Sequence, residues 1–280
     1  MPSPLSEKRS FQLETRHVQE LNPTYIIGDI HGNLRSLQKL LEYAQLIDHH
    51  HSWIGGQSNL WFIGDLVDRG HESIGVIDLV MRLQAEAEAA GGSVRSLLGN
   101  HEVLFLAAYQ FGRRSTGLRS SFITQWRRNG GHKDDLKKLT KKHIEWLTKL
   151  PAMAQIGDTL LLHADATFYT HYGNSVDEVN ESFGQLLSRS NSLSWDDLLE
   201  EFSARSVFQH HLVGKEIVDR FLALYKSKRL IHGHTPINLV IGQPAKKVTE
   251  ALVYADGRCI NVDGGIYLGG PGFLYQLLES

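Results

Sequence analysis

The sequence predicts an α/β protein of mixed sheets carrying a helical insertion, and three observations predict it. Three times in the first 110 residues a short apolar run ends in a tight glycine turn and leads into a charged or amphipathic stretch. Residues 164–228 are polar and mostly helical in pattern. The last fifty residues return to short apolar runs separated by Gly and Asp turns. Strand, loop and helix in repetition read as βαβ units around a buried sheet.

Taken in order, residues 1–23 read as a polar leader, because Pro2, Glu7, Lys8, Arg9, Glu14 and Arg16 break any run long enough for a signal peptide. Tyr25, Ile26 and Ile27 form the first strand pattern, and Leu34, Leu37, Leu40 and Leu41 follow at helical spacing. Residues 60–63 form the second, followed by Ile74, Ile77, Leu79 and Val80. Residues 94–98 form the third, and 115–150 are helical and charged. Pro151 opens two further strand patterns at 152–156 and 159–162. Within the insertion, Ser194, Trp195, Asp196 and Asp197 resemble a helix start. Strands are expected again at 229–231, 239–241, 251–254, 259–262 and 273–278. One domain over 24–280 holds them, at a length that suits a single large α/β unit.

Composition narrows the classes. A hydrophobic content of 41% with 7 prolines excludes disorder. The single cysteine, Cys259, excludes an internal disulfide and a cysteine zinc cluster, so a cytoplasmic location is expected. No apolar run approaches the roughly 18 residues needed to span a bilayer. The formal charge of −2 gives no sign of a nucleic-acid or membrane partner, and a monomer is expected. That neutrality is an average: residues 113–142 carry ten Lys or Arg against two Asp, which leaves the remainder at −10. The stretch reads as a solvated helical face, or as a basic rim that attracts an anionic substrate. The 15 histidines invite a search for a metal or acid–base site.

The glycine turns place acids and imidazoles at strand ends: Gly28-Asp29-Ile30-His31-Gly32, Gly64-Asp65-Leu66-Val67-Asp68-Arg69-Gly70, and Gly99-Asn100-His101-Glu102. In open α/β sheets ligands gather outside the carboxyl ends of strands, so the three ends are expected to share one cleft. Asp29 and His31 lie two apart, and in extended geometry both point to one side and grip one ion. Asp65 on the neighbouring strand is placed to bridge that ion to a second, completed by Asn100, His163 and His234. Two ions roughly 3.5–4 Å apart suit phosphate-ester hydrolysis.

These motifs, in this order, resemble the calcineurin-like metallophosphoesterases, and within them the phosphoprotein (Ser/Thr) phosphatase branch of bacterial or Shewanella-like type. The resemblance implies a four-layer α/β/β/α sandwich of mixed sheets. It implies that Asp29, His31 and Asp65 bind one divalent ion and Asp65, Asn100, His163 and His234 another, with Mn expected and Fe or Zn accepted. It also implies that a hydroxide bridging both ions attacks phosphorus in line while Arg69 and Asn100 steady the phosphoryl oxygens. His101, oriented by Asp68, would protonate the leaving group. The implied substrate is a phosphorylated protein or a small phosphoester. Pro236 stands where many superfamily nucleases have a further histidine, which favours the phosphatase branch. Diadenosine tetraphosphate hydrolases share the first three motifs, and hydrolysis of a dinucleotide polyphosphate is the alternative; their third motif usually ends in Asp, where this chain has Glu102. Two departures stand out. Ala164 and Asp165 follow His163 where the family usually has small residues and glycine, and the second phosphate-binding arginine must be chosen from Arg189, Arg205, Arg220 and Arg229. Arg205 is the choice.

Other residues take simpler readings. Glu102 is expected to hold its loop, and His232 to pack within its strand. Asp263 suits either a turn or a hydrogen bond to a ligand histidine. His49, His50 and His51 lie in an expected surface loop without matching ligands.

Overall fold

A computed structural model describes residues 22–115 and 120–278. The leader expected at 1–23 falls almost wholly outside the described residues, as does Arg119 of the basic stretch. The described strands are β1 (Thr24–Ile27), β2 (Asn59–Phe62), β3 (Ser93–Ser96), β4 (Met153–Ile156), β5 (Thr159–Leu162), β6 (Arg229–His232), β7 (Leu252–Tyr254), β8 (Cys259–Asn261) and β9 (Tyr275–Leu277). They form a four-stranded sheet in the order β3-β2-β1-β9 and a five-stranded sheet in the order β4-β5-β6-β8-β7. β1, β2 and β3 run parallel, as do β5, β6 and β8, while β9, β4 and β7 are antiparallel edges.

Side-chain alternation explains the layering. Ile26, Trp61, Leu161, Ile231, Ile260 and Leu277 meet in one apolar seam built from both sheets. Their strand neighbours Ile27, Leu60, Phe62, Leu160, Leu162, Leu230 and Cys259 pack instead with helical residues. A strand with opposite faces buried in different layers reads as a continuous apolar run, which is why these runs carry no polar alternation. The expected mixed-sheet sandwich is borne out.

Helices α1 (Leu34–Tyr43), α2 (Ser73–Ala89) and α3 (Asn100–Phe111) follow the first three strands. Short helices α4 (Phe122–Arg128), α5 (Lys133–Lys138) and α6 (Lys141–Leu147) occupy the basic stretch. Between β5 and β6 lie α7 (Val176–Ser188), α8 (Ser192–Glu201) and α9 (Gly214–Leu224). Phe111 of α3 meets Trp195 of α8 edge to face at 5.5 Å, which joins the two helical layers. α8 begins two residues before the expected Ser194, because the Asn191 side chain caps it by accepting from Leu193 N at 3.1 Å.

The expected strand at 239–241 is a helix, α10 (Ile237–Ile241). Pro236 opens it with φ −55°, its carbonyl accepts from Leu239 N and Val240 N, and Gly242 closes it in the left-handed region at φ 66°. Leu239 is 63% exposed, so this apolar run lies on no buried sheet face. Periodicity cannot separate strand from helix in so short a run. No helix among the described residues is long and apolar enough to cross a membrane.

Candidate metal and phosphate site

The chemistry-bearing residues sit where β1, β2, β3, β5 and β6 end. The loops after β1 and β2 are laced together: Ile30 N and His31 N both donate to Asp65 O, at 3.0 and 2.9 Å, and Gly70 N donates to His31 O at 2.9 Å. His31, Asp65, Asp68, Arg69 and His234 all have φ between 49° and 70°. Left-handed backbone is disfavoured for side chains of this kind and clusters at functional sites. This corrects the expectation that Asp29 and His31 converge through extended geometry: a left-handed turn at His31 brings them together. Two glycines make room. A Cβ on Gly99 would collide with the Asp65 carboxylate, and one on Gly233 with that of Asp29.

Asp29, His31, Asp65, His163 and His234 are buried. His31 Nε2 lies 3.7 Å from Asp29 Oδ2 and 3.6 Å from Asp65 Oδ2. Asp29 Oδ2 and His31 Nε2, both buried, have no hydrogen-bond partner among the described residues and face Asp65 Oδ2 as possible metal ligands. On the other side of Asp65, Oδ1 stands 3.3 Å from His163 Nε2. That nitrogen is 3.0 Å from Asn100 Oδ1 and 3.1 Å from His234 Nδ1, which is itself 2.9 Å from Asn100 Oδ1. Acceptor atoms packed this closely fit a cation. Ligand atoms of His31, Asp65 and His101 lie within 4.8 Å of one another, as do those of Asp65, His163 and His234, so His101 stands in the first group where Asp29 was expected; oxygen and imidazole donors of this kind suit a divalent transition ion.

Backbone carbonyls aim the imidazoles. His31 Nδ1 donates to Val67 O at 3.0 Å and His163 Nδ1 to Ile63 O at 2.9 Å, which turns Nε2 of each ring inward. Asp263, read from sequence as a turn residue or a partner for a ligand histidine, takes the turn: its Oδ1 accepts from Gly265 N at 2.9 Å. His232 packs as expected, bonded to Gly233 O and Tyr254 Oη. His51 pairs with Glu42 at 3.3 Å, and the His49 and His50 rings lie 3.8 Å apart at a 44° tilt.

Arg69, His101 and Asp68 form the second half. His101 Nδ1 donates to Asp68 Oδ2 at 2.8 Å, and Arg69 Nη2 reaches His101 Nε2 at 3.1 Å. His101 Nε2 is also 4.0 Å from Asp65 Oδ2, which puts this ring against the donor cluster. Trp126 Nε1 donates to the other oxygen of Asp68 at 2.6 Å. Sequence reasoning missed Trp126 as a partner, along with Tyr267, whose ring lies 4.0 Å under the Arg69 guanidinium and 4.8 Å from the His31 ring. The segment that follows Trp126 also touches the site, where Gly130 O accepts from Arg69 N at 2.8 Å. Nothing in the sequence singles out Tyr267. Arg205 reaches the site from the insertion, donating to His234 O and standing 3.4 Å from Thr235 Oγ1. Arg189 instead bonds Gln185, Arg220 pairs with Glu216, and Arg229 bonds Thr159.

Glu102 holds its loop as expected. Its two oxygens accept from Asp65 N, Leu66 N, Val67 N and Gly99 N at 2.8 to 3.3 Å. Burial, and then the Asp65 charge, push its carboxyl up to about 7. Burial and the Asp263 carboxylate raise Asp29 well above the usual range. Burial would raise Asp65 too, but the imidazoles of His163, His101 and His31 outweigh it and hold the group well below. His163 shows the converse: burial opposes its charge, yet the Asp65 carboxylate beside it raises it to about 9. Burial keeps His31 and His234 low, in the neutral form that a metal requires.

The family model of the calcineurin-like phosphoesterases matches residues 23–238, which takes in every one of these side chains except Tyr267, Asp263 and Tyr254. The chain belongs to the calcineurin-like phosphoesterase family. Shewanella-like protein phosphatase 1 of Plasmodium berghei (strain Anka) is 26% identical to this phosphoesterase over 269 residues, covering 86% of the chain and 66% of the relative. A symmetrical bis(5'-nucleosyl)-tetraphosphatase of Erwinia tasmaniensis is 35% identical over 144 residues, covering 51% of the chain and 43% of the relative. The phosphoesterase therefore spans less than two thirds of the length of either curated relative. The solved structure of a cold-active protein-tyrosine phosphatase from a psychrophilic Shewanella superposes with a TM-score of 0.70 at 22% identity, over 92% of this chain and 75% of that one. It shares the fold. The Shewanella-like relative bears out the branch that the phosphoesterase motifs resemble.

Proposed function

We propose that this phosphoesterase hydrolyses phosphomonoesters, with phosphoserine and phosphothreonine in proteins as substrates, using two divalent ions held on either side of Asp65. The observation that carries this reading is the Asp65 carboxylate itself, one oxygen 3.6 Å from His31 Nε2 and the other 3.3 Å from His163 Nε2. Asp29, His31 and Asp65 would hold one ion, and Asp65, Asn100, His163 and His234 the other. When bound, such ions neutralise phosphoryl charge and acidify a water nucleophile. Mn is the expected ion, and the same donors accept Fe or Zn.

The chain's own residues supply the rest. The Arg69 fork matches phosphoryl oxygens in a bidentate way, and Tyr267 beneath it limits where that fork swings. With Arg69 Nη2 turned from His101 Nε2 to the phosphoryl group, that nitrogen is free to carry a proton to the leaving alkoxide, while Asp68 at Nδ1 keeps the ring oriented. Asn100 and Arg205 steady the remaining phosphoryl oxygens. The lone Cys259, buried and unpaired, fits a reducing cytoplasm.

The test is hydrolysis of phosphopeptides and an aryl phosphate by the Mn-loaded chain against Asp65→Asn. A loss of roughly a hundredfold or more is expected, and equal rates would sink the reading. The match to a symmetrical tetraphosphatase favours a second reading, hydrolysis of a dinucleotide polyphosphate. Faster turnover of diadenosine tetraphosphate than of phosphoserine peptides would select it. Phosphotyrosine belongs in the same comparison, since the Shewanella structure of similar fold is a tyrosine phosphatase.

A further inference from the structure

Asp165 lies two residues beyond His163, at a position where the sequence departs from its family, and the phosphomonoesterase reading leaves it without a task. It is fully buried. Asp165 Oδ1 accepts from Ser206 N at 3.0 Å, and Oδ2 from Gln209 Nε2 at 3.4 Å. The Asp165 carbonyl accepts from Val207 N at 3.1 Å. Three bonds from one residue thus fasten residues 206–209, a segment that joins α8 to α9 without regular structure of its own.

Arg205 stands immediately before those anchors. Ser206 has φ 58°, a left-handed conformation that a residue with a side chain adopts only when something holds it there. That turn reverses the chain, so that the Arg205 guanidinium points back to His234 O and Thr235 Oγ1 while staying open to solvent at the rim of the site. An arginine has five N–H donors, and two acceptors leave most of its fork free for an incoming phosphoryl group. Ser206 O accepts from Gln209 N at 3.2 Å within the segment itself, so the bond from Ser206 N to the Asp165 carboxylate is what ties the reversed turn to the end of β5.

We propose that Asp165 is a positioning residue: it fixes the left-handed turn at Ser206 so that Arg205, held beside His234, meets the substrate phosphate. The inference rests on the phosphomonoesterase reading for what Arg205 binds, but not for how Arg205 is held. Asp165 touches no substrate on this account.

Two measurements separate those parts. Amide hydrogen exchange in the full chain reads the anchor alone: Asp165→Ala should speed exchange at Ser206 and Val207, and unchanged protection there overturns the proposal whether or not the protein is active. Inhibition of the Mn-loaded enzyme by inorganic phosphate reads the consequence. Asp165→Ala should raise KM for an aryl phosphate and the phosphate inhibition constant together by about tenfold, with a smaller change in kcat. Asp165→Asn, which keeps an acceptor for Ser206 N, should recover most of that loss. On an Arg205→Ala background the Asp165→Ala change should add little, because residues that act through one another are not additive. Full additivity, or an Asp165→Ala enzyme with normal KM and phosphate inhibition, overturns the positioning role. A chain inactive on every phosphomonoester but protected at Ser206 by Asp165 would count against the phosphomonoesterase reading alone, and phosphate titration of that metal-loaded chain then decides whether Asp165→Ala weakens binding.

Discussion

Asp68 is gripped from two sides, by His101 Nδ1 at 2.8 Å and by Trp126 Nε1 at 2.6 Å, and it is buried. A carboxylate that accepts two such bonds has one orientation, and it passes that orientation to the imidazole. Burial pushes the Asp68 carboxyl up, so the indole bond also helps keep it ionised beside His101. Replacing Trp126 by Phe removes that donor while keeping most of the ring that stacks on Phe105 at 5.7 Å. The expected outcome is a drop in kcat of about tenfold, equivalent to about 1.4 kcal/mol, with KM nearly unchanged; steady-state kinetics on an aryl phosphate measures it. An unaltered kcat would mean that Asp68 needs no second partner. Trp126 shows why part of the site was illegible in the sequence. Its value lies in a partner 58 residues away, and a tryptophan in a helical stretch otherwise reads as core. The proposed ligands were legible because each follows a glycine or an apolar run that marks a strand end. Arg205 was one of four candidates until the fold placed its neighbours elsewhere.

Between elements, the side chain of Glu102 on α3 binds four consecutive-loop N–H groups, three from the turn after β2 and one from Gly99. It sets the distance between the Asp65 loop and the helix that carries Asn100 and His101. Glu102→Gln puts an amide donor against N–H donors, and loss of charge-assisted bonds at a buried position costs roughly 3 kcal/mol. Thermal unfolding should show a Tm lower by roughly 6–12 °C, together with weaker metal uptake. A variant as stable as the parent would show that the loop keeps its shape unaided. Strands and their turn-borne residues could be read at this scale because both follow from apolar runs and glycine. The run at 239–241 could not: its helix is decided by Pro236 at one end and Gly242 at the other, on a surface that no sheet covers.

Across the whole molecule, Asp29, Asp65 and Asp263 bring carboxylates together inside a buried cleft: Asp65 raises both Asp29 and Asp263, and Asp263 raises Asp29. On the proposed reading bound cations relieve that crowding, so chelation should destabilise the fold. At metal a hundredfold above its dissociation constant, linkage contributes about 2.7 kcal/mol per site. Differential scanning calorimetry with and without chelator should show a fall in Tm of several degrees, restored by Mn; identical transitions would sink the idea that metal and fold are coupled. The two positions differ in what they join. Asp29, His31 and Asp65 all follow strands of the four-stranded sheet, whereas His163 and His234 follow β5 and β6 of the other sheet and meet Asn100 and Asp65 across the seam. On the proposed reading the first position would draw its ligands from one half and the second from both, beside the bond from His234 N to Asp29 Oδ1 at 3.1 Å that already joins them. Emptying the second alone should loosen the chain where β5 and β6 end, while the apolar seam and the bond from His163 Nδ1 to Ile63 O keep the sheets in register.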